Sequence, residues 1–294
     1  MKIYNYGAIN IDHIYQVPHL VKPGETLSSS SYQQVLGGKG ANQSIALAKA
    51  GAQVLHIGRC NKSDQWAIEQ LRQAGVNCDL VEGVGHPSGH AIIQVDQQAE
   101  NCIVLFGGAN QSFSPQDINS ALQDAVAGDW LLLQNECSNI AAAVNYAADA
   151  QLKIVLNPSP MLDDIKGFPL HKVSLLVVNE LELQQLLQCK CESKEQMIEQ
   201  VRKAFPDTDV VVTLGAQGAM WINADEQIQV DAYVVEVIDT TAAGDTFLGF
   251  LLAAIGRGGS KKDALIAGCK ASSLAVQRLG ASSSIPTAEQ VAAV

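Results

Sequence analysis

The segment Asp239-Thr240-Thr241-Ala242-Ala243-Gly244-Asp245-Thr246-Phe247 joins a run of small residues to a carboxylate, just ahead of an apolar stretch through Leu251 and Leu252. Small residues ending in a glycine let backbone N–H groups crowd together at a helix start. There, unbonded donors and the positive end of the helix dipole favour phosphate oxygens. On this reading the amides of Ala242, Ala243 and Gly244 form an anion hole, and Asp245 accepts the proton of an attacking hydroxyl. The plainer reading is that Asp245 complements the helix dipole while Gly244 relieves a tight turn.

Two further segments carry chemistry-bearing side chains. Gly37-Gly38-Lys39-Gly40-Ala41-Asn42-Gln43 sets glycines before a helix start, so that backbone, Lys39 and Asn42 can approach a polyhydroxylated ligand. It lacks the P-loop pattern, and its bland alternative is a hinge carrying a solvated lysine. Asn10-Ile11-Asp12 follows the first apolar run and puts an amide and a carboxylate on one side of an extended segment. Parallel sheets bind ligands beyond the carboxyl ends of their strands, where this pair falls; alternatively Asn and Asp mark a turn.

The elements that must position these groups are legible as alternating patterns. Apolar, β-rich runs at residues 3–8, 54–57, 130–133, 154–156, 175–178 and 210–214 alternate with helical patterns at 41–50, 64–74, 115–125, 138–150, 181–187 and 246–255. That rhythm predicts an α/β fold: a mostly parallel central sheet flanked by helices as a three-layer sandwich. Residues 12–36 and 90–106 alternate polar and apolar without a helical pattern, and are expected to form a small β-sheet lid. A lid matters for phosphoryl transfer because water must be excluded at closure. With no repeat, low-complexity tract or linker, residues 1–294 read as one domain.

Bulk properties narrow the function classes. Hydrophobic residues make up 47% of the 294 and charged ones 17%, which suits a two-sided core and excludes disorder. A formal net charge of -11 with no basic stripe argues against nucleic acid as a partner. Neither a signal peptide nor a membrane-length apolar run is present, so no membrane partner and a cytoplasmic location are expected. The 7 cysteines are scattered without zinc spacing and read as reduced, mostly buried thiols.

Taken in order along the chain, the Asn10-Ile11-Asp12, Gly37–Gln43 and Asp239–Phe247 segments resemble the motifs of the ribokinase-like (PfkB) carbohydrate kinases, and supporting matches extend the resemblance over nearly the whole chain. The resemblance implies that Asn10, Asp12, Gly38, Lys39 and Asn42 hydrogen-bond sugar hydroxyls. Glu136 takes the place of the family's sugar-contacting glutamate; its bland role is capping a helix that starts near Ser138. On the nucleotide side the resemblance implies ATP contacts by Asn179, Thr213, Gly215, Gly218 and Gly244. Glu182 would act on Mg2+ through water, although Asn179 and Glu182 also form a helix capping box. Gly280 to Ser284 resembles a loop that closes a K+ site with Asp239 and Thr241.

The activity so implied is transfer of the ATP γ-phosphoryl group to O5 of D-ribose, with Asp245 as general base, in a homodimer whose lid strands pair between subunits. Rival readings are a sister kinase acting on a nucleoside or on fructose, and a sugar-binding protein that has lost catalysis. A nucleotide-dependent oxidoreductase would need Gly-x-Gly-x-x-Gly after the first strand, whereas Gly7 is followed by Ala8-Ile9-Asn10.

Overall fold

A computed structural model describes residues 1–98 and 100–294. The strands are β1 (Ile3–Tyr6), β2 (Asn10–Gln16), β3 (Ser31–Gly37), β4 (Val54–Asn61), β5 (Val81–Val84), β6 (Gly89–Val95), β7 (Asn101–Phe106), β8 (Trp130–Gln134), β9 (Lys153–Asn157), β10 (Leu175–Asn179), β11 (Asp209–Thr213), β12 (Ala219–Ile222) and β13 (Gln227–Val230). The α-helices are α1 (Lys39–Lys49), α2 (Gln65–Gln73), α3 (Pro115–Ala121), α4 (Ile140–Asp149), α5 (Glu180–Leu187), α6 (Lys194–Ala204), α7 (Ala243–Gly256), α8 (Lys261–Ala275) and α9 (Ala288–Ala292).

Nine strands form the central sheet in the order β13-β12-β11-β10-β9-β8-β1-β4-β5. All its pairs are parallel except β11 with β12 and β12 with β13. Alternation along each strand sends side chains to opposite faces. Ile3, Leu132, Val155 and Val211 pack with α1, α2, α7 and α8, whereas Tyr4, Tyr6, Leu131 and Leu133 pack with α3, α4, α5 and α6. The three-layer α/β architecture is therefore that expected from the sequence rhythm.

A second sheet of four strands runs β3-β2-β6-β7, built from the two stretches whose alternation lacked a helical pattern. In it β2 pairs antiparallel with β3 and parallel with β6, and Asn10 stands opposite both Gly37 and Gly89. The β7 edge is apolar yet uncovered: Ile103, Val104, Leu105 and Phe106 are at least half exposed.

Several boundaries differ from the sequence reading. The helix expected at 115–125 ends at Ala121, and the one expected at 138–150 begins at Ile140 behind a left-handed Asn139. The strand read as 54–57 runs on to Asn61, because its second half leaves β1 and pairs with β5. All seven cysteines are unpaired, and four of them are buried. Among the described residues no helix is long and apolar enough to cross a membrane.

One helix contact matters for everything that follows. Helices α1 and α7 lie against each other, and a Cβ on Gly249 would collide with the Ala46 side chain and stand 2.9 Å from the backbone of Ala46 and Leu47. Only glycine lets the two backbones come this close. Gly249→Ala would gain about 1 kcal/mol of helix propensity, but overpacking a buried helix contact costs about 1–3 kcal/mol. We expect the variant to unfold at lower urea concentration than wild type; an unchanged or raised midpoint would show that the helices can separate freely.

Candidate active site

Three buried polar side chains, Asn5, His56 and Gln134, and the half-buried Asn157 lie on the α1 face of the central sheet near its carboxyl end. Strand alternation puts them there, since each is two residues from an apolar neighbour on that face. Against them pack the first turns of α1 and α7, which supply the rest of the site.

Asp245 sits in the first turn of α7 and is 7% exposed. Its Oδ1 accepts a hydrogen bond from Gln43 Nε2 at 2.8 Å and its Oδ2 one from Asn42 Nδ2 at 3.2 Å. Asn42 is buried, and its own Oδ1 has no partner among the described residues. An unpartnered buried acceptor costs about 1–3 kcal/mol, so this oxygen is poised for a donor from outside the chain.

The turn ahead of α7 is shaped by Ala242, whose backbone is left-handed (φ 58°). Among the described residues the N–H groups of Ala242 and Gly244 have no protein acceptor. The Ala243 N–H is different: it donates to the Thr240 carbonyl at 3.2 Å and closes the turn. The sequence reading gave the anion hole three amides, and this bond removes Ala243 from the free set.

The groups assigned to a sugar converge on the same place. Gly38 precedes α1 with φ 92°, and the Lys39 N–H donates to Glu136 Oε2 at 2.7 Å. This bond, rather than a helix cap, occupies Glu136, since α4 begins at Ile140 behind Asn139. Burial alone would lower the Lys39 ammonium, but the carboxylates of Asp245, Glu136 and Glu182 raise it overall. Burial also lifts the Glu136 carboxyl from 4.5 to about 7, against the pull of Lys39, and lifts Asp12 to about 6. Asn10 is held by Asn110, whose Nδ2 reaches Asn10 Oδ1 at 2.8 Å while its Oδ1 accepts from the Ile9 N–H at 3.1 Å. Sequence reading missed Asn110, Gln134 and Asn157, which sit outside any motif; Gln43 lay within one but carried no assigned role.

On the other side of α7 lies a cavity of about 420 Å3 lined by Thr213, Gly215, Gly218, Gly244, Phe247 and Ser273, among others. Its walls are mainly apolar, and Gly244 forms part of them. Gly218, expected to admit a ligand close to the backbone, has another reason to be glycine: with φ 91°, a Cβ there would strike the Val230 carbonyl of the adjoining strand. Asn179 and Glu182 lie outside the residues lining this cavity and form a complete capping box, with bonds of 2.8 and 2.9 Å in both directions. Glu182 Oε1 makes no hydrogen bond among the described residues.

Behind the α7 turn, Asp239 ties two loops together. Its Oδ1 accepts from the N–H and hydroxyl of Thr241 at 2.8 and 2.6 Å, and its Oδ2 from the Gly280 N–H at 2.9 Å. Burial works against the charge, yet these bonds outweigh it and lower the Asp239 carboxyl. Ser284 is fully buried, with its hydroxyl on the Ala281 carbonyl. Asp239, Thr241 and the turn from Gly280 to Ser284 thus carry oxygen donors of the type that hard cations take.

The family model for the pfkB family of carbohydrate kinases matches residues 2–288. The chain belongs to that family. It is a carbohydrate kinase. A ribokinase of Haemophilus influenzae is 35% identical over 296 residues, spanning 97% of this chain and 95% of the relative. Among solved structures, ribokinase from Cryptococcus neoformans in complex with ADP superposes with a TM-score of 0.88 at 33% identity, covering 99% of each chain. Arabidopsis thaliana ribokinase complexed with ribose and ATP gives 0.88 at 29% identity, covering 99% of this chain and 97% of that one.

The half-buried Glu136 carboxyl gives the stability of this carbohydrate kinase a definite pH dependence. Because the folded Glu136 carboxyl is raised from 4.5 to about 7, its favourable contribution is complete below about pH 4.5 and is lost as pH rises through 7. Glu136→Gln removes that term, by up to roughly 3 kcal/mol. Thermal unfolding without ligand should therefore show the variant gaining on wild type between pH 5 and 8; parallel curves would count against a raised Glu136 carboxyl.

Proposed function

We propose that this kinase phosphorylates D-ribose at O5 with ATP, and that Asp245 is the general base. The single observation that carries the reading is the placing of the buried Asp245 carboxylate between the unpartnered Asn42 acceptor and the free amides at the start of α7. A hydroxyl held there can donate to Asp245 as it attacks the γ-phosphorus. The amides of Ala242 and Gly244 then meet the charge growing on the transferred group, where preorganised donors have most effect. The chemistry of the acceptor side suits a small polyol: Asn10, Asp12, Lys39, Asn42 and Glu136 offer donors and acceptors in fixed directions, and a missing hydroxyl would leave one unpaired. The ribokinases described above support ribose over a nucleoside or fructose.

ATP would occupy the apolar cavity beside Gly244, with Thr213 and Gly215 near the base and Asn179 toward the phosphates. Mg2+ accompanying the nucleotide supplies neutralising charge on its phosphates, and the open Glu182 Oε1 would reach it through water. Asp239, Thr241, Gly280 and Ser284 would hold K+, whose charge supports the anion hole from behind. We read residues 1–294 as one kinase domain in which the four-stranded sheet is a lid closing over the sugar. Its exposed β7 edge strand, apolar from Ile103 to Phe106, favours a homodimer in which two lids cover each other.

A coupled assay of ATP consumption over ribose, fructose, adenosine and pseudouridine, with and without K+, tests the substrate; ribose should lead, with K+ raising its rate. Asp245→Asn should lower turnover by about 10³-fold with ribose and ATP still bound. Near-normal turnover in that variant would remove Asp245 from the chemistry. Asn42→Ala should raise the KM for ribose about tenfold or more, as expected for a lost hydroxyl contact. For the assembly, sedimentation should give a dimer in wild type and a monomer in Val104→Arg; a monomeric wild type would contradict the lid pairing.

A further inference from the structure

A chain of buried amides ends on Asp245, and nothing in the proposed chemistry uses it. It starts at Asn5, whose Nδ2 donates to the Gly40 carbonyl and the Ser44 hydroxyl, both at 2.8 Å. A backbone carbonyl can only accept, so Asn5 must turn its Oδ1 the other way, toward Gln134. Gln134 Nε2 donates to Asn5 Oδ1 at 2.9 Å and to Gln43 Oε1 at 2.6 Å. The Gln43 side chain is thereby left with Nε2 facing Asp245 Oδ1 at 2.8 Å and Asn157 Oδ1 at 3.1 Å. At the far end Asn157 directs its own Nδ2 to the Val177 carbonyl at 2.9 Å.

Both termini of the chain are backbone carbonyls, so its direction is fixed. Flipping any one amide would set two acceptors face to face in the core, at a penalty of about 1–3 kcal/mol. Fixing the direction leaves Gln134 Oε1 buried without a partner, an unfavourable term that the fold carries. Gln43 is fully buried and its bond to Asp245 is shorter than that of Asn42, 2.8 against 3.2 Å. Asn42 thus has one end free to read a hydroxyl, whereas Gln43 faces only the protein.

We infer that Gln43 is a positioning residue for phosphoryl transfer: its amide, aimed by Gln134 and Asn5, fixes the Asp245 carboxylate so that Oδ2 meets the substrate hydroxyl. The inference deepens the reading of Asp245 as general base and rests on it. Because Gln43 acts on the orientation of the base and not on the sugar, its loss falls on the chemical step.

The test is steady-state kinetics with D-ribose and ATP. Gln43→Met, which keeps the volume and removes the amide, should lower kcat by about 10- to 100-fold while the KM for ribose stays within about threefold. Gln134→Met touches Asp245 only through Gln43, and should lower kcat by about three- to tenfold with the same split. The double variant should be no slower than Gln43→Met by more than about twofold, since the two act through one path. A kcat above half of wild type in Gln43→Met, a loss that falls equally on KM, or effects that multiply would overturn the inference. Should Gln43→Met not fold, Gln134→Met and Asn157→Ala decide it, and unchanged kcat in both overturns it. If wild type turns over ribose, Asp245→Asn loses about 10³-fold, and Gln43→Met keeps more than half of the wild-type kcat, the inference fails while the reading of Asp245 stands. A wild-type chain that phosphorylates no sugar sinks both.

Discussion

An anion kept out of water between two helices is the constraint around which this molecule is arranged. Asp245 belongs to α7, and the amides that satisfy its oxygens belong to α1, some two hundred residues earlier in the chain. A buried carboxylate without donors would destabilise the fold by several kcal/mol, so the two helices must meet closely and in one register. The close approach at Gly249 and Ala46 supplies that register one turn further along. Packing and chemistry are therefore the same contact seen from two sides: what lets the helices touch also holds the carboxylate where a substrate would lie.

The two flanks of α7 differ in kind. On the α1 side the surroundings are polar and charged, and burial lifts the carboxyls of Glu136 and Asp12 far above their usual range. Across the helix the cavity at Gly244 is mostly apolar. The free amides of the first turn of α7 lie between the two environments, so a reacting group that must bridge them passes the one place where unbonded donors collect.

The four-stranded sheet is tied to this centre by its own first residue. Asn10 opens β2, faces Gly37 and Gly89 across the ladder, and is locked by Asn110 from the loop that returns from the small sheet to the core. Asp12, two residues on, shares its face. The small sheet thus carries two polar groups toward the cleft and leaves its β7 edge apolar and bare.

Much of this was legible in the residue order. Periodicities of two and of three to four residues depend only on local geometry, so the alternating layers, the small sheet and the helix starting near Asp245 followed from the chain itself, and the three short motifs pointed to the family. Boundaries that depend on partners did not follow: β4 lengthens because β5 pairs with its second half, and α4 starts late because Asn139 turns left-handed. Composition could say that Ala242, Ala243 and Gly244 crowd at a helix start, but not that the Thr240 carbonyl takes the Ala243 amide. Nor could it join Asn5, Gln134 and Asn157 to Asp245. Those four residues lie on separate elements, and hydrogen bonds between elements are set by how strands and helices stack in space, which no local pattern encodes. The sequence by itself determined which layers form and which side chains could do chemistry; tertiary packing alone decided which of their donors and acceptors remain open to a substrate.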